Sequence, residues 1–156
     1  MIKRILVAVD DSPAGLAAAR FAMDLARVCG AEVRAATVLV DGLLEAALAG
    51  MPGHLESSDA LRARRGGGQT ALLRHVVELG HARNLEPETT ALVGEPARCI
   101  LDEARGYRPD VLVIGRSDRR ETGQPYVGSE VRQVLEFAEQ PVLVVPADGS
   151  LRTAPS

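Results

Sequence analysis

Three short, uninterrupted aliphatic runs constrain this chain most: residues 5–9 (Ile-Leu-Val-Ala-Val), residues 111–114 (Val-Leu-Val-Ile) and residues 142–145 (Val-Leu-Val-Val). Each is closed by turn-forming or charged residues. Asp10, Asp11, Ser12 and Pro13 follow the first, Gly115 the second, and Pro141 and Pro146 bracket the third. Runs of this length are too short to span a membrane, and their continuity suits strands covered on both faces. Such strands require helices above and below the sheet.

The intervening sequence supplies those helices. Ser12 before Pro13 reads as an N-cap with proline in the first turn. Ala18, Phe21, Ala22, Leu25, Val28 and Cys29 follow at helical spacing, and Gly30 stops the helix. Residues 32–40 read as a second strand. Residues 41–68 are the least patterned: 43–49 has the spacing of a short helix, Met51-Pro52-Gly53 breaks it, and 62–68 reads as a mobile, charged, glycine-rich link. Residues 69–84 form a helix with Leu72, Leu73, Val76, Leu79 and Gly80 on one face, and Glu88–Val93 form a strand. Pro96 opens a helix carrying Ala97, Ile100, Leu101 and Ala104 on one face. A turn-rich loop follows the 111–114 run, its 119–126 stretch expected to be mobile without ligand. Residues 129–138 are helical, with Val131, Val134, Leu135 and Ala138 in register.

Strands alternating with helices predict an α/β fold: an open five-stranded parallel sheet with helices on both faces and right-handed crossovers. A chain of 156 residues, 46% of them hydrophobic, is long enough to bury a core without disulfides or metal. The expectation is one domain over residues 1–147 and a disordered tail over 148–156.

A net charge of −3 gives no basic field for nucleic acid or an anionic membrane, and two Tyr, two Phe and no Trp give no stacking platform for bases. Cys29 and Cys99 stand alone in apolar helical segments and read as buried reduced thiols. His54, His75 and His81 lack metal-ligand spacing and read as surface or loop residues. The first apolar run is too short for a signal segment, so the expected location is cytoplasmic.

In open α/β sheets, ligands bind beyond the carboxyl ends of the strands, where the crossovers diverge. That places Asp10 and Gly115 at the candidate site. The loop after Gly115 leads to Gly128 and Ser129 at a helix N-terminus, whose free N–H groups suit a phosphate. By themselves, glycine plus serine before a helix is common punctuation, and an aspartate at a strand end is often a turn residue. No Walker-type Gly-Lys-Ser, His–Cys pair or nucleophile elbow marks a catalytic centre.

The combination is more specific. The segment from Ile5 to Ser12 resembles the opening strand and turn of universal stress proteins, and Gly94-Glu95-Pro96 with Ile100 and Ala104 resembles their third-strand exit. Gly115, Gly128-Ser129 and Pro141 to Val145 resemble their C-terminal half. The resemblance implies a Rossmann-like fold and, in members that bind ATP, a motif of Gly, two residues, Gly, nine residues, Gly and Ser or Thr. Gly115 and Gly128-Ser129 match its ends at the family spacing, while Asp118 replaces the second glycine. Glu130 and Val131 stand where the family often has Val and Ser. The resemblance also carries Asp10 to a ribose contact and Val38 to an adenine contact.

The departures have physical content. A carboxylate at Asp118 repels a triphosphate unless a magnesium ion bridges the two, Glu130 uses the positive end of its helix for itself, and Val131 removes a hydroxyl. Arg116, Arg119 and Arg120 could supply compensating charge, although charged loops are usually only solvated. Two readings stay open: a regulatory protein binding ATP or another adenine nucleotide, whose occupancy alters a surface for a protein partner, or an interaction module of the same fold that has lost the ligand. In either case the last strand is apolar, belongs at a sheet edge, and by resemblance pairs across a two-fold axis in a homodimer.

Overall fold

The computed structural model describes residues 1–39, 58–116 and 128–148, with side chains at 58–66 left aside. The first strand, β1 (Arg4–Ala8), leads into helix α1 (Pro13–Cys29), strand β2 (Glu32–Leu39) and helix α2 (Ser58–His81). Strand β3 (Glu88–Val93), helix α3 (Pro96–Tyr107), strand β4 (Val111–Gly115), helix α4 (Ser129–Phe137) and strand β5 (Val142–Val145) follow. The five strands form one parallel sheet in the order β3-β2-β1-β4-β5, so the chain grows outward from β1 in both directions.

Alternation along the strands builds two cores. Ile5, Val7 and Val9 face α1 and α2, joined by Val33, Ala35, Val111 and Val113. Leu6 and Ala8 face the other way, with Ala36, Leu112 and Ile114, against Ile100 and Ala104 of α3 and Val131 and Val134 of α4. A strand buried on both faces has no polar positions to alternate with, which is why β1 and β4 read as continuous apolar runs. Helix α1 buries Ala17, Ala18, Ala19, Ala22 and Ala26, and these small side chains let it lie close to the sheet.

The helix ends follow local chemistry. Ser12 caps α1 by accepting a hydrogen bond from the Gly15 amide at 3.0 Å, and Gly30 closes the helix in the left-handed region at φ 67°. Glu95 caps α3, accepting from the Arg98 amide at 3.3 Å, with Pro96 as first helical residue. Below α3, the Arg34 guanidinium stacks on Tyr107 at 4.0 Å and bridges Glu88 and Glu103, each at 2.8 Å.

Several sequence expectations change. The backbone of residues 62–68 is helical and belongs to α2, although three consecutive glycines there argue for a link. That helix stops at His81, and Asn84, expected as its last residue, turns out of it with φ 58°. Val28 and Leu135, expected on buried faces, are 75% and 48% exposed, because each lies at the flank of its apolar stripe. Cys29 and Cys99 are free but only half-buried: Cys29 lies at the last turn of α1 and Cys99 in the first turn of α3. His75 and His81 are exposed on α2, and His81 Nε2 stands 3.1 Å from Glu86 Oε2. The expectations for 43–49, His54, Asp118, the 119–126 loop and the 149–156 tail lie outside the described residues.

Candidate functional site

The carboxyl ends of β1 and β4 lie side by side at the centre of the sheet, where the crossover from β1 runs toward β2 and that from β4 toward β5. The divergence opens a cleft of about 590 Å³. Its apolar walls include Val9, Ala36, Val38, Ile100 and Ile114, and its polar groups are Asp10, Ser12, Ser129 and Glu130. That size and lining suit a small organic ligand with a flat apolar part and a few polar contacts.

All five candidate residues, Asp10, Val38, Gly115, Gly128 and Ser129, line this one cleft although 119 positions separate the first from the last. Each has a definite local setting. Asp10 follows β1, and its Oδ1 accepts hydrogen bonds from the Ser12 amide at 3.0 Å and from the Ser12 hydroxyl. That arrangement is an Asx turn coupled to the cap of α1, so this oxygen is committed to structure. Val38, half-buried near the end of β2, pairs with Leu92 of β3.

Gly115 is required by packing. A β-carbon on it would lie 2.4 Å from the Ala14 carbonyl oxygen and 2.9 Å from the Gly15 amide nitrogen. Gly128 differs: a β-carbon there would meet no heavy atom within 4 Å among the described residues. It is the N-cap of α4, accepting from the Arg132 amide at 3.0 Å and providing no side-chain cap. Ser129, read as a possible capping serine, is instead the first helical residue and exposed. Amides in that first turn thus receive no side-chain acceptor from the N-cap.

Gly15 and the wall from α3 escaped the sequence reading as parts of the site. Gly15 brings α1 against Asp10 so closely that a β-carbon would stand 2.1 Å from Asp10 Oδ1 and 2.8 Å from the Asp10 nitrogen. A glycine in the first turn of a helix is unfavourable by itself, and that cost is a readable signal of close approach. Pro96 and Ile100 form part of the wall from α3, whose N-cap is Glu95. Glu130 lines the cleft from α4, half-buried, and burial raises its carboxyl above the usual range, with Asp10 and Glu95 pushing it further in the same direction.

The universal stress protein family model matches residues 1–146. The chain belongs to the universal stress protein family. A universal stress protein of Methanocaldococcus jannaschii is 29% identical over 145 residues, which are 93% of this chain and 82% of the relative. The universal stress protein of Archaeoglobus fulgidus is 28% identical with a TM-score of 0.69, over 92% of this chain and 98% of that one. The Archaeoglobus fulgidus protein in complex with dAMP is 26% identical to this chain, with a TM-score of 0.65 over the same shares of the two chains. The fold is thus that of a universal stress protein domain. Among the described residues, no helix is long and apolar enough to cross a membrane.

Proposed function

We propose that this universal stress protein is a regulatory protein that binds an adenine nucleotide in the cleft between β1 and β4. The observation that carries the reading is the convergence of Asp10, Val38, Gly115, Gly128 and Ser129 on one cleft at the divergence of the crossovers. Val38, with Ala36 and Ile100, offers an apolar surface for the base. Asp10 Oδ2, which accepts no hydrogen bond among the described residues, is available to a ribose hydroxyl. Gly128 and Ser129 offer backbone N–H groups and a hydroxyl to a phosphate. The dAMP complex of the Archaeoglobus fulgidus relative supports the choice of an adenine ligand.

Calorimetric titration of the purified chain with AMP tests the reading, alongside Val38→Trp, which fills the apolar wall. Saturable binding that the substitution abolishes, with the thermal melt unchanged, is the expected result. The competing reading, an interaction module without a nucleotide, draws on Glu130: a carboxylate stands in the cleft beside the place a phosphate would take. Absence of heat with AMP, ADP and ATP favours that reading.

In this proposal the protein acts as a homodimer paired through β5. That strand is at the sheet edge, and Leu143 is 37% exposed on it. Unpaired apolar edges are normally covered. Sedimentation velocity should give a dimer for the parent chain and a monomer for Leu143→Lys; a monomeric parent contradicts the assignment.

A further inference from the structure

Among the described residues that line the cleft, two are charged, Asp10 and Glu130, and both are acidic. No lysine, arginine or histidine is among them. Glu95, just ahead of the Pro96 wall, adds a third carboxylate near enough to act on Glu130. Glu130 is the second residue of α4, one position from Ser129. The end of a helix that would attract phosphate therefore carries its own negative group.

From this lining we infer that Glu130 sets ligand specificity by charge, so that the cleft takes adenosine or a nucleotide of low phosphate charge and discriminates against ATP. The inference rests on the reading of the cleft as an adenine site and deepens it. The argument is electrostatic. A phosphate monoester carries about −1.5 to −2 at neutral pH, and the charge grows with each phosphate added. In a half-buried cleft, a carboxylate next to phosphate is screened less than it would be in bulk water. Base and ribose contacts are common to adenosine, AMP and ATP. Only the phosphates meet Glu130, so its effect separates the three ligands.

The charge on Glu130 also responds to its surroundings. Asp10 faces it from the end of β1 and Glu95 from the start of α3, and both favour its neutral form. A neutral glutamate would lower the discrimination without altering the shape of the site.

The test is calorimetric titration of the full chain with adenosine, AMP and ATP in magnesium-free buffer, comparing parent, Glu130→Gln and Glu136→Gln. Glu136 is exposed on the same helix and does not line the cleft, so its substitution changes net charge equally without changing the site. Parent protein should bind adenosine at least as tightly as AMP, and ATP most weakly. Glu130→Gln should raise ATP affinity by about tenfold or more, AMP affinity by less, and leave adenosine unchanged. Glu136→Gln should leave the order intact. A gain for adenosine equal to that for ATP overturns the inference, because shape and not charge would then be the cause. Unchanged ATP affinity in Glu130→Gln, with AMP or adenosine binding retained, also overturns it while leaving the adenine site standing. If none of the three ligands binds either protein, the adenine reading fails and this inference with it.

Discussion

Gly115 ends β4 in contact with Ala14 at the start of α1: a β-carbon on Gly115 would stand 2.4 Å from the Ala14 carbonyl oxygen. Heavy atoms do not approach so closely, and the obstacle is backbone, so no rotamer change relieves it. Gly115→Ala should therefore force α1 away from the sheet at the mouth of the cleft. The expected cost is about 1–3 kcal/mol, the range for overpacking a close contact. A fall in the urea midpoint with unchanged slope is the check, and an unchanged midpoint contradicts the packing account.

A second prediction concerns Arg34 and Tyr107. The guanidinium lies 4.0 Å from the ring centroid while bridging Glu88 on the neighbouring strand and Glu103 on α3. Lysine keeps the charge but lacks the planar fork that stacks and bridges together. Arg34→Lys should cost about 1 kcal/mol, a figure kept low because the pairs are partly exposed. A double-mutant cycle with Tyr107→Leu should give a coupling above zero. Additive losses would show that the stacking contributes nothing.

Asp110 gives a prediction for acid. Its Oδ2 accepts hydrogen bonds from the Lys3 amide at 2.7 Å and the Arg4 amide at 2.9 Å, and these hold its carboxyl below the ordinary aspartate range. A depressed folded-state value means the unfolded chain binds the proton first. The stabilisation is thus present above the usual aspartate range and lost as pH falls toward the folded-state value. Asp110→Asn should flatten the acid side of a plot of melting temperature against pH. An acid limb that is identical in the variant refutes the assignment.

Glu130 has the opposite sign. Burial raises its carboxyl first, and the carboxylates of Asp10 and Glu95 add to the rise. The folded chain holds this proton more tightly than the unfolded one, so stability falls as pH rises from the ordinary glutamate range through the folded-state value. Glu130→Gln should remove that fall and melt higher than the parent at neutral pH. Equal or lower melting there contradicts the direction of the shift.

How much of this was legible in the sequence follows from the physics of each element. Strands β1 and β4 announce themselves because burial on both faces demands unbroken apolar residues, and β5 reads the same way although it lies at the sheet edge with Leu143 exposed. The caps at Ser12, Gly30 and Pro96 are chemical signals confined to a few residues, so they are readable without knowing the fold. The start of α2 was not readable: glycine costs a helix about 1 kcal/mol relative to alanine, and the charges around residues 62–68 present no apolar stripe to offset three glycines. The five residues carried over from the family motif meet in the cleft because their positions depend only on the ends of β1, β2 and β4 and the start of α4. The packing need of Gly115 was hidden, since it arises from the contact between α1 and the strand ends, whereas Gly15 in the first turn of α1 left a readable trace. The influence of Asp10 and Glu95 on Glu130 was hidden for the same reason: three elements distant in sequence must first be brought together.

The central claim is that an adenine ligand occupies this cleft. Amide chemical-shift mapping of the isotope-labelled chain during addition of AMP tests it most directly. The account predicts saturable shifts concentrated at Asp10, Val38, Gly115, Gly128 and Ser129, which line the cleft, with the far ends of β1 and β4 unaffected. Shifts centred elsewhere on the molecule, or none at ligand concentrations that saturate the calorimetric signal, would contradict it.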